Sequence, residues 1–250
     1  MPFWGEMRSG YLNFDIEGVW NMKTWKVIAI VSVIGVMACF SASAAEIGDE
    51  WKKVNESEGI VGYTRPAPMT SVDEVMAIGI VKASVPVIEA LLRDASAQPE
   101  YMFMCCEAYE LELPGWQTTK DIKFIYNKTD MPWPVNDRYG ILRAEQMIDT
   151  STGALRVAVE NISADFDEKD KKAVRMPITI GQCIATPVGE NETEVLYQVL
   201  ADPGGNLPSW LVNMLSKNLG VKTIEGIREM VKKDKYKSAT RIITTTPWVR

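Results

Sequence analysis

The chain contains no histidine. That absence excludes a Ser-His-Asp triad, a Cys-His pair, an HExxH zinc site and any His-rich metal site. Cysteine is scarce, with four in 250 residues, at 39, 105, 106 and 183. If Cys39 leaves with a targeting segment the remainder is odd, so no disulfide framework is implied. Neighbours on a strand point to opposite faces, which places Cys105 and Cys106 poorly for pairing with each other. The remaining cysteines read as small buried hydrophobes, with a Cys183 disulfide in an oxidising compartment as the alternative. Clustered positive charge is also missing. A net charge of −6 argues against nucleic acid, whose phosphates need Lys and Arg patches, and against permanent docking on anionic lipid. No P-loop or dinucleotide pattern surrounds Gly204-Gly205. The acidic run Asp165-Phe-Asp-Glu-Lys-Asp170 lacks the calcium loop's glycine at the sixth position and its Glu at the twelfth, where Met176 stands, so it reads as a solvated loop. Neither a metal nor a cofactor is expected.

The apolar run Val27 to Phe40 is shorter than the about 20 residues of a comfortable membrane span. It follows Met22-Lys-Thr-Trp-Lys26 and precedes Ala42-Ser43-Ala44, the order of basic start, apolar stretch and small-residue cleavage site of a secretory signal peptide. Residues 22–44 are therefore read as a signal, residues 1–21 as an overextended start, and the mature protein as exported, in a bacterium to the periplasm. A lipoprotein acylated at Cys39 and an uncleaved N-terminal anchor are the alternatives. With 46% hydrophobic and 24% charged residues, the rest is enough for one sizeable core.

Along residues 45–240 the pattern reads helix, strands, helices, strands, helix. A short opening helix is expected over 46–55, then strands near 59–65 and 74–83. Ser84 looks like an N-cap and Pro86 suits a first turn, so a helix should run to about Arg93. From Met102 to Asp202 the chain reads as an antiparallel meander with strands near 103–113, 116–126, 138–148, 154–163, 174–186 and 192–201. Turn signals stand at Leu113-Pro-Gly-Trp116 and Asp149-Thr-Ser-Thr-Gly153. Both faces of 193–200 carry apolar residues, so that strand is covered on one side and partly on the other. The closing helix carries Leu207, Trp210, Leu211, Met214 and Leu215 at three-to-four spacing, and Val221, Ile224, Ile227 and Val231 continue the stripe past an expected kink at Gly220. Residues 241–250 read as a frayed tail.

Two stretches carry the most information: Met131-Pro-Trp-Pro-Val-Asn-Asp-Arg138, and Asp202-Pro-Gly-Gly-Asn-Leu-Pro-Ser-Trp-Leu-Val-Asn213. With Trp51, Gly59–Arg65, Val81–Asp94, Val174-Arg175, Gly181 and Thr193–Tyr197 in register around them, the region from about 46 to 236 resembles the START (steroidogenic-acute-regulatory-related lipid transfer) family. One departure is Tyr139, which follows Arg138 where the family usually has an acidic residue. The resemblance implies an α+β helix-grip fold, in which a curved antiparallel sheet wraps a long C-terminal helix around an internal hydrophobic cavity. It also implies a carrier of a lipid or other hydrophobic small molecule, expected to be monomeric, with transient membrane contact and with the C-terminal helix as a lid.

Polarizable and aromatic side chains suit such a cavity. The candidates are Met104, Tyr126, Trp133, Tyr139, Tyr197, Trp210, Leu211 and Met214, together with Met102; each is otherwise an ordinary core residue. Arg143, on the strand after the Trp-Pro stretch, is the polar candidate if it faces inward, where a guanidinium would bind a carboxylate, phosphate or hydroxyl. Related helix-grip proteins include cyclases and aromatases, and fold alone does not settle function. Acid-base work on such a scaffold would fall to Glu107, Glu110, Asp121, Arg143 or Tyr197. A third reading is an interaction module with a filled core.

Overall fold

The computed structural model describes residues 47–242. The expected signal over 22–44, the expected overextension over 1–21 and residues 243–250 of the expected tail lie outside the described residues. The chain divides into two compact units, Met1–Trp51 and Lys52–Arg250. Of the first, residues 47–51 are described, ending in a turn in which the Trp51 amide donates to the Gly48 carbonyl at 3.0 Å.

The second unit is built from strands β1 (Lys52–Ser57), β2 (Ile60–Pro66) and β3 (Asp73–Val81), helices α1 (Val85–Arg93) and α2 (Gln98–Tyr101), strands β4 (Cys105–Leu111), β5 (Ile122–Thr129), β6 (Arg138–Ile148), β7 (Leu155–Asn161), β8 (Val174–Arg175), β9 (Ile178–Gly189) and β10 (Glu192–Asp202), and helices α3 (Ser209–Met230) and α4 (Asp234–Lys237). The strands form one sheet in the order β1-β2-β3-β10-β9-β7-β6-β5-β4, with the short β8 pairing parallel to β6. Every other pairing is antiparallel. This is the α+β helix-grip architecture: a long antiparallel sheet packed against one long C-terminal helix.

Local chemistry explains most boundaries. Gly153 at φ 75° closes the β6–β7 hairpin, where the Asp149 carboxylate accepts from the Ser151 amide at 2.9 Å, an Asx turn of the kind Asp favours. Gly204 and Gly205, at φ 67° and 71°, supply the left-handed pair that turns β10 into α3. Helix α1 follows Ser84, whose side chain makes no capping bond, with proline in its first turn. One expectation fails. The opening helix over 46–55 is not formed, because residues from Lys52 onward are the edge strand β1, paired with β2 across a hairpin whose Gly59 sits at φ 73°.

The main core joins Val221, Ile224, Ile227 and Met230 of α3 to Ile60, Ala77 and Val81 of the sheet and to Ile88 and Leu91 of α1. Each such fully buried aliphatic contributes about 1.5–3 kcal/mol relative to exposure. Helix α3 runs unbroken through Gly220. Instead of a kink, that glycine provides close approach: a Cβ there would stand 2.7 Å from the Ala77 Cβ, and one on Gly226 would stand 2.4 Å from the Tyr101 carbonyl oxygen. A second cluster (Leu113, Phe124, Tyr126, Tyr139, Ile141, Ile162 and Ala164) lies on the outer face, and Phe166 packs against it. The acidic loop is thus more than solvated chain, because Phe166 lies 5.3 Å from the Tyr126 ring.

Candidate ligand cavity

Strand alternation lines one cavity. Register pairs Tyr197 with Cys183, Val199 with Gly181 and Ala201 with Thr179, and on the far side Ile125 with Leu142 and Ala144 with Val159. Side chains two apart on a strand share a face, and all of these positions except Gly181 line the cavity. Helix α3 closes it with Val212, Leu215, Leu219, Thr223 and Ile227, and α2 adds Gln98 and Tyr101. The enclosed volume is about 170 Å³. That is close to the roughly 150 Å³ of a cavity that accepts benzene, and below the about 300–1,000 Å³ of drug-sized ligand pockets. A lipid would therefore require a wall to move.

The polar groups inside are few and uncharged. Asn127 Nδ2 donates to Gln98 Oε1 at 2.8 Å and contacts Cys105 Sγ at 3.3 Å. The Thr223 hydroxyl donates to the Leu219 carbonyl at 2.7 Å and accepts from the Phe103 amide at 3.3 Å. Burial pushes the Cys105 and Cys183 thiols up to about 12. It likewise raises the Tyr101 and Tyr197 phenols above the ordinary tyrosine value. The common cause is desolvation, which disfavours each anionic form. Among the described lining residues none is Lys or Arg, and the sole carboxylate belongs to Asp73, which is exposed at the start of β3.

Met131, Pro203 and Val212 complete the lining. Buried Arg138 ties the loop that carries Met131 to the one that carries Pro203. Its Nε donates to the Pro203 carbonyl at 2.6 Å and its Nη2 to the Gly204 carbonyl at 3.2 Å, while its Nη1 reaches the Asn136 carbonyl. The Trp-Pro stretch and the Asp202-Pro-Gly-Gly turn, far apart in sequence, thus meet through this side chain.

The START domain family model matches residues 35–237, most of the chain. The chain belongs to the START domain family. Its relatives include an uncharacterised protein of Pseudomonas aeruginosa, 28% identical over 78% of this chain and 94% of that protein. The phosphatidylcholine transfer protein of Rattus norvegicus is 24% identical over 74% of this chain and 84% of its own length. Among solved structures, the STAR-related lipid transfer protein of Xanthomonas axonopodis is similar at a TM-score of 0.64 and 28% identity, covering 74% of this chain and all of that fragment.

Within this START domain the candidate residues separate. Tyr197 lies on the cavity wall, as does Met102. Tyr126 and Tyr139 do not, because Tyr126 alternates with the inward Ile125 and Asn127 and so stacks on the outer face, 4.8 Å from Tyr109 and 6.0 Å from Tyr139. Arg143 falls on that same outer face, opposite Phe124, and pairs with Glu145 at 2.8 Å and Glu160 at 3.4 Å. No inward guanidinium results. Trp133 is 90% exposed at its loop tip and Trp210 is 53% exposed in the first turn of α3. Met104 takes the left-handed turn before β4, at φ 62°. Leu211 is fully buried but belongs to a neighbouring helix face, and Met214 is half-buried. The inward stripe of α3 is Val212-Leu215-Leu219, rotated from the expected one.

Of the acid-base candidates, Tyr197 alone lines the cavity; Glu107 and Glu110 are exposed and Asp121 is half-buried at the start of β5. The described cysteines are free, with Cys105 and Cys183 buried and Cys106 exposed. Cys106 is the extra residue where the β4–β5 register shifts between Cys105 and Glu107, which leaves it out of the buried set. Sequence reasoning missed Tyr101, Gln98 and Asn127. The two α2 residues lie at three-residue spacing on one helical face, and Asn127 lies two residues from Ile125, so the signal was periodicity rather than residue type.

Proposed function

We propose that this START domain carries one lipid-class hydrophobic molecule in the cavity beneath α3. The observation that supports this most is the wall itself: predominantly apolar, with uncharged polar groups and no assembled set of acid-base side chains among the described lining residues. Burying about 300 Å² of apolar ligand surface there would yield on the order of 7 kcal/mol. The names of the relatives point the same way, toward transfer rather than turnover. The protein is exported, on this reading, and begins near Ala45. Native mass spectrometry of the protein purified from its own host tests both points at once. A bound lipid released on unfolding, on a chain starting near residue 45, is expected. An empty chain that binds no lipid when offered would overturn carriage, and an intact Met1 would overturn export.

The N-terminal half of α3 serves as the lid. Residues 212–219 are only partly buried, whereas Gly220 and Gly226 hold the other half tightly to β3 and α2. Exposed Trp133 and Trp210 flank the mouth and make transient contact with a membrane surface, where an apolar ring with a polar edge is at home. In a Cys106→Ser background, Trp133→Cys and Trp210→Cys joined by a bis-maleimide should slow lipid uptake and release together. Unchanged exchange after verified crosslinking would place the port elsewhere.

A further inference from the structure

We infer that the cargo is an uncharged amphiphile, an apolar body bearing a hydroxyl or carbonyl, whose polar end meets Tyr101, Tyr197 and the Gln98–Asn127 amide pair. The inference rests on the carriage reading above and narrows it to a chemical class.

Three observations carry it. The first is an unused set of hydrogen-bonding atoms. Asn127 and Gln98 are 5% and 7% exposed and share one bond, from Asn127 Nδ2 to Gln98 Oε1. That leaves Asn127 Oδ1 as a free acceptor and Gln98 Nε2 as a free donor. The Tyr101 and Tyr197 hydroxyls likewise make no hydrogen bond to the described residues. None of these four atoms is among the fully enclosed ones that lack a partner. All four residues line the cavity, so the cavity is the space these atoms open to. A polar atom so placed and left unmatched is unfavourable, and a ligand hydroxyl or carbonyl would satisfy two or three of them.

The second observation is that they form one group. Tyr101 and Cys183 share the main buried cluster, against which Tyr197 packs, Tyr197 pairs with Cys183 across β10 and β9, and Cys105 touches Asn127. Gln98 and Tyr101 come from α2, Cys105 from β4, Asn127 from β5, Cys183 from β9 and Tyr197 from β10, while Val199, Ala201, Leu215 and Leu219 supply apolar wall. A molecule with one polar end matches that division.

The third is the lack of compensation for charge. A buried phosphate or carboxylate needs a cation or several charge-directed donors. Among the described lining residues there is no cation, Arg143 points to the other face, and the lone charge, Asp73, is itself negative. Burial already disfavours the anionic forms of Cys105, Cys183, Tyr101 and Tyr197, and a ligand anion meets the same environment.

The test uses the purified full-length protein and three pyrene probes with the same apolar body: pyrenyl-decanol, pyrenyl-decanoate at pH 8, where it is ionised, and pyrenyl-decane. The alcohol should bind at least about tenfold more tightly than the carboxylate. Tyr101→Phe, Tyr197→Phe and Asn127→Leu, each checked for folding by circular dichroism, should lower affinity for the alcohol about three- to tenfold each and leave the decane unchanged. Tyr126→Phe, on the outer face, should change neither. Equal binding of alcohol and carboxylate would overturn the neutral-cargo inference while leaving carriage intact. A preference for the alcohol that survives all three substitutions would overturn the assignment of the polar end. Failure of all three probes, and of extracted host lipid, would overturn carriage itself.

Discussion

Filling the cavity from its own wall should separate a ligand site from a packing defect. Ala144 on β6 is 5% exposed and lines the cavity between the inward neighbours Leu142 and Val159. Replacing it with Phe adds a ring, and a benzene-sized group occupies a cavity of roughly 150 Å³. The available volume is about 170 Å³, so one substitution consumes most of it. Burying the ring contributes about 1.5–3 kcal/mol, and overpacking costs about 1–3 kcal/mol, so the two nearly cancel. Folding stability should shift by no more than about 2 kcal/mol in either direction. Ligand affinity behaves differently. A lipid displaced from roughly 100 Å² of apolar wall loses about 2.5 kcal/mol, nearly 70-fold in Kd. Urea unfolding would give the stability and a fluorescent-lipid titration the affinity. A folded Ala144→Phe protein with an unchanged unfolding slope and wild-type affinity would refute the reasoning, because the ligand would then sit elsewhere.

Two other substitutions test the frame around the cavity. Gly226→Ala should destabilise by about 2 kcal/mol in urea, since the about 1 kcal/mol gained in helix propensity is outweighed by collision with backbone; the new Cβ would meet the Tyr101 carbonyl oxygen at 2.4 Å and its Cα at 2.6 Å. A rise in the urea midpoint would show that this contact does not set the α2–α3 spacing. Asp94 is subject to burial, which raises its carboxyl, but hydrogen bonds from Lys235, Ser96 and Tyr236 outweigh it and hold the group at about 2 instead of 3.8. A depressed folded-state value means stability present above about pH 4 and lost as pH falls toward 2. Acid titration of the wild type should therefore show loosening of α4 in that window, and Asp94→Asn should lack that step; an identical acid profile in the variant would assign the acid response to other carboxylates.

Much of the frame was legible from residue order, because it depends on local chemistry. The bounds of β6 were read as 138–148 and are Arg138–Ile148. The turns at Leu113–Trp116, Asp149–Gly153 and Asp202–Gly205 follow from glycine's tolerance of positive φ and from Asp side chains that bond their own backbone. The long amphipathic C-terminal helix follows from its apolar period. The first strand was not legible: Lys52–Ser57 is polar and short, and becomes a strand only because β2 offers it an edge. The cavity was least legible of all. On β5 and β6 both faces are largely buried, one toward the cavity and Ala95 and one against the aromatic cluster, so a period of two finds two equivalent faces and cannot say which is inward. A shift of one residue exchanges Tyr126 for Ile125 or Asn127 and Arg143 for Leu142 or Ala144. The same ambiguity rotates α3, whose apolar arc is wide enough to hold either Trp210-Met214 or Val212-Leu215-Leu219. Residue types and their periods therefore determined that a sheet and a helix would meet around an apolar interior. Which side chains face that interior was decided by packing, through Gly220 against Ala77, Gly226 against Tyr101 and Arg138 across the two loops, contacts between residues distant in the chain that no local pattern encodes.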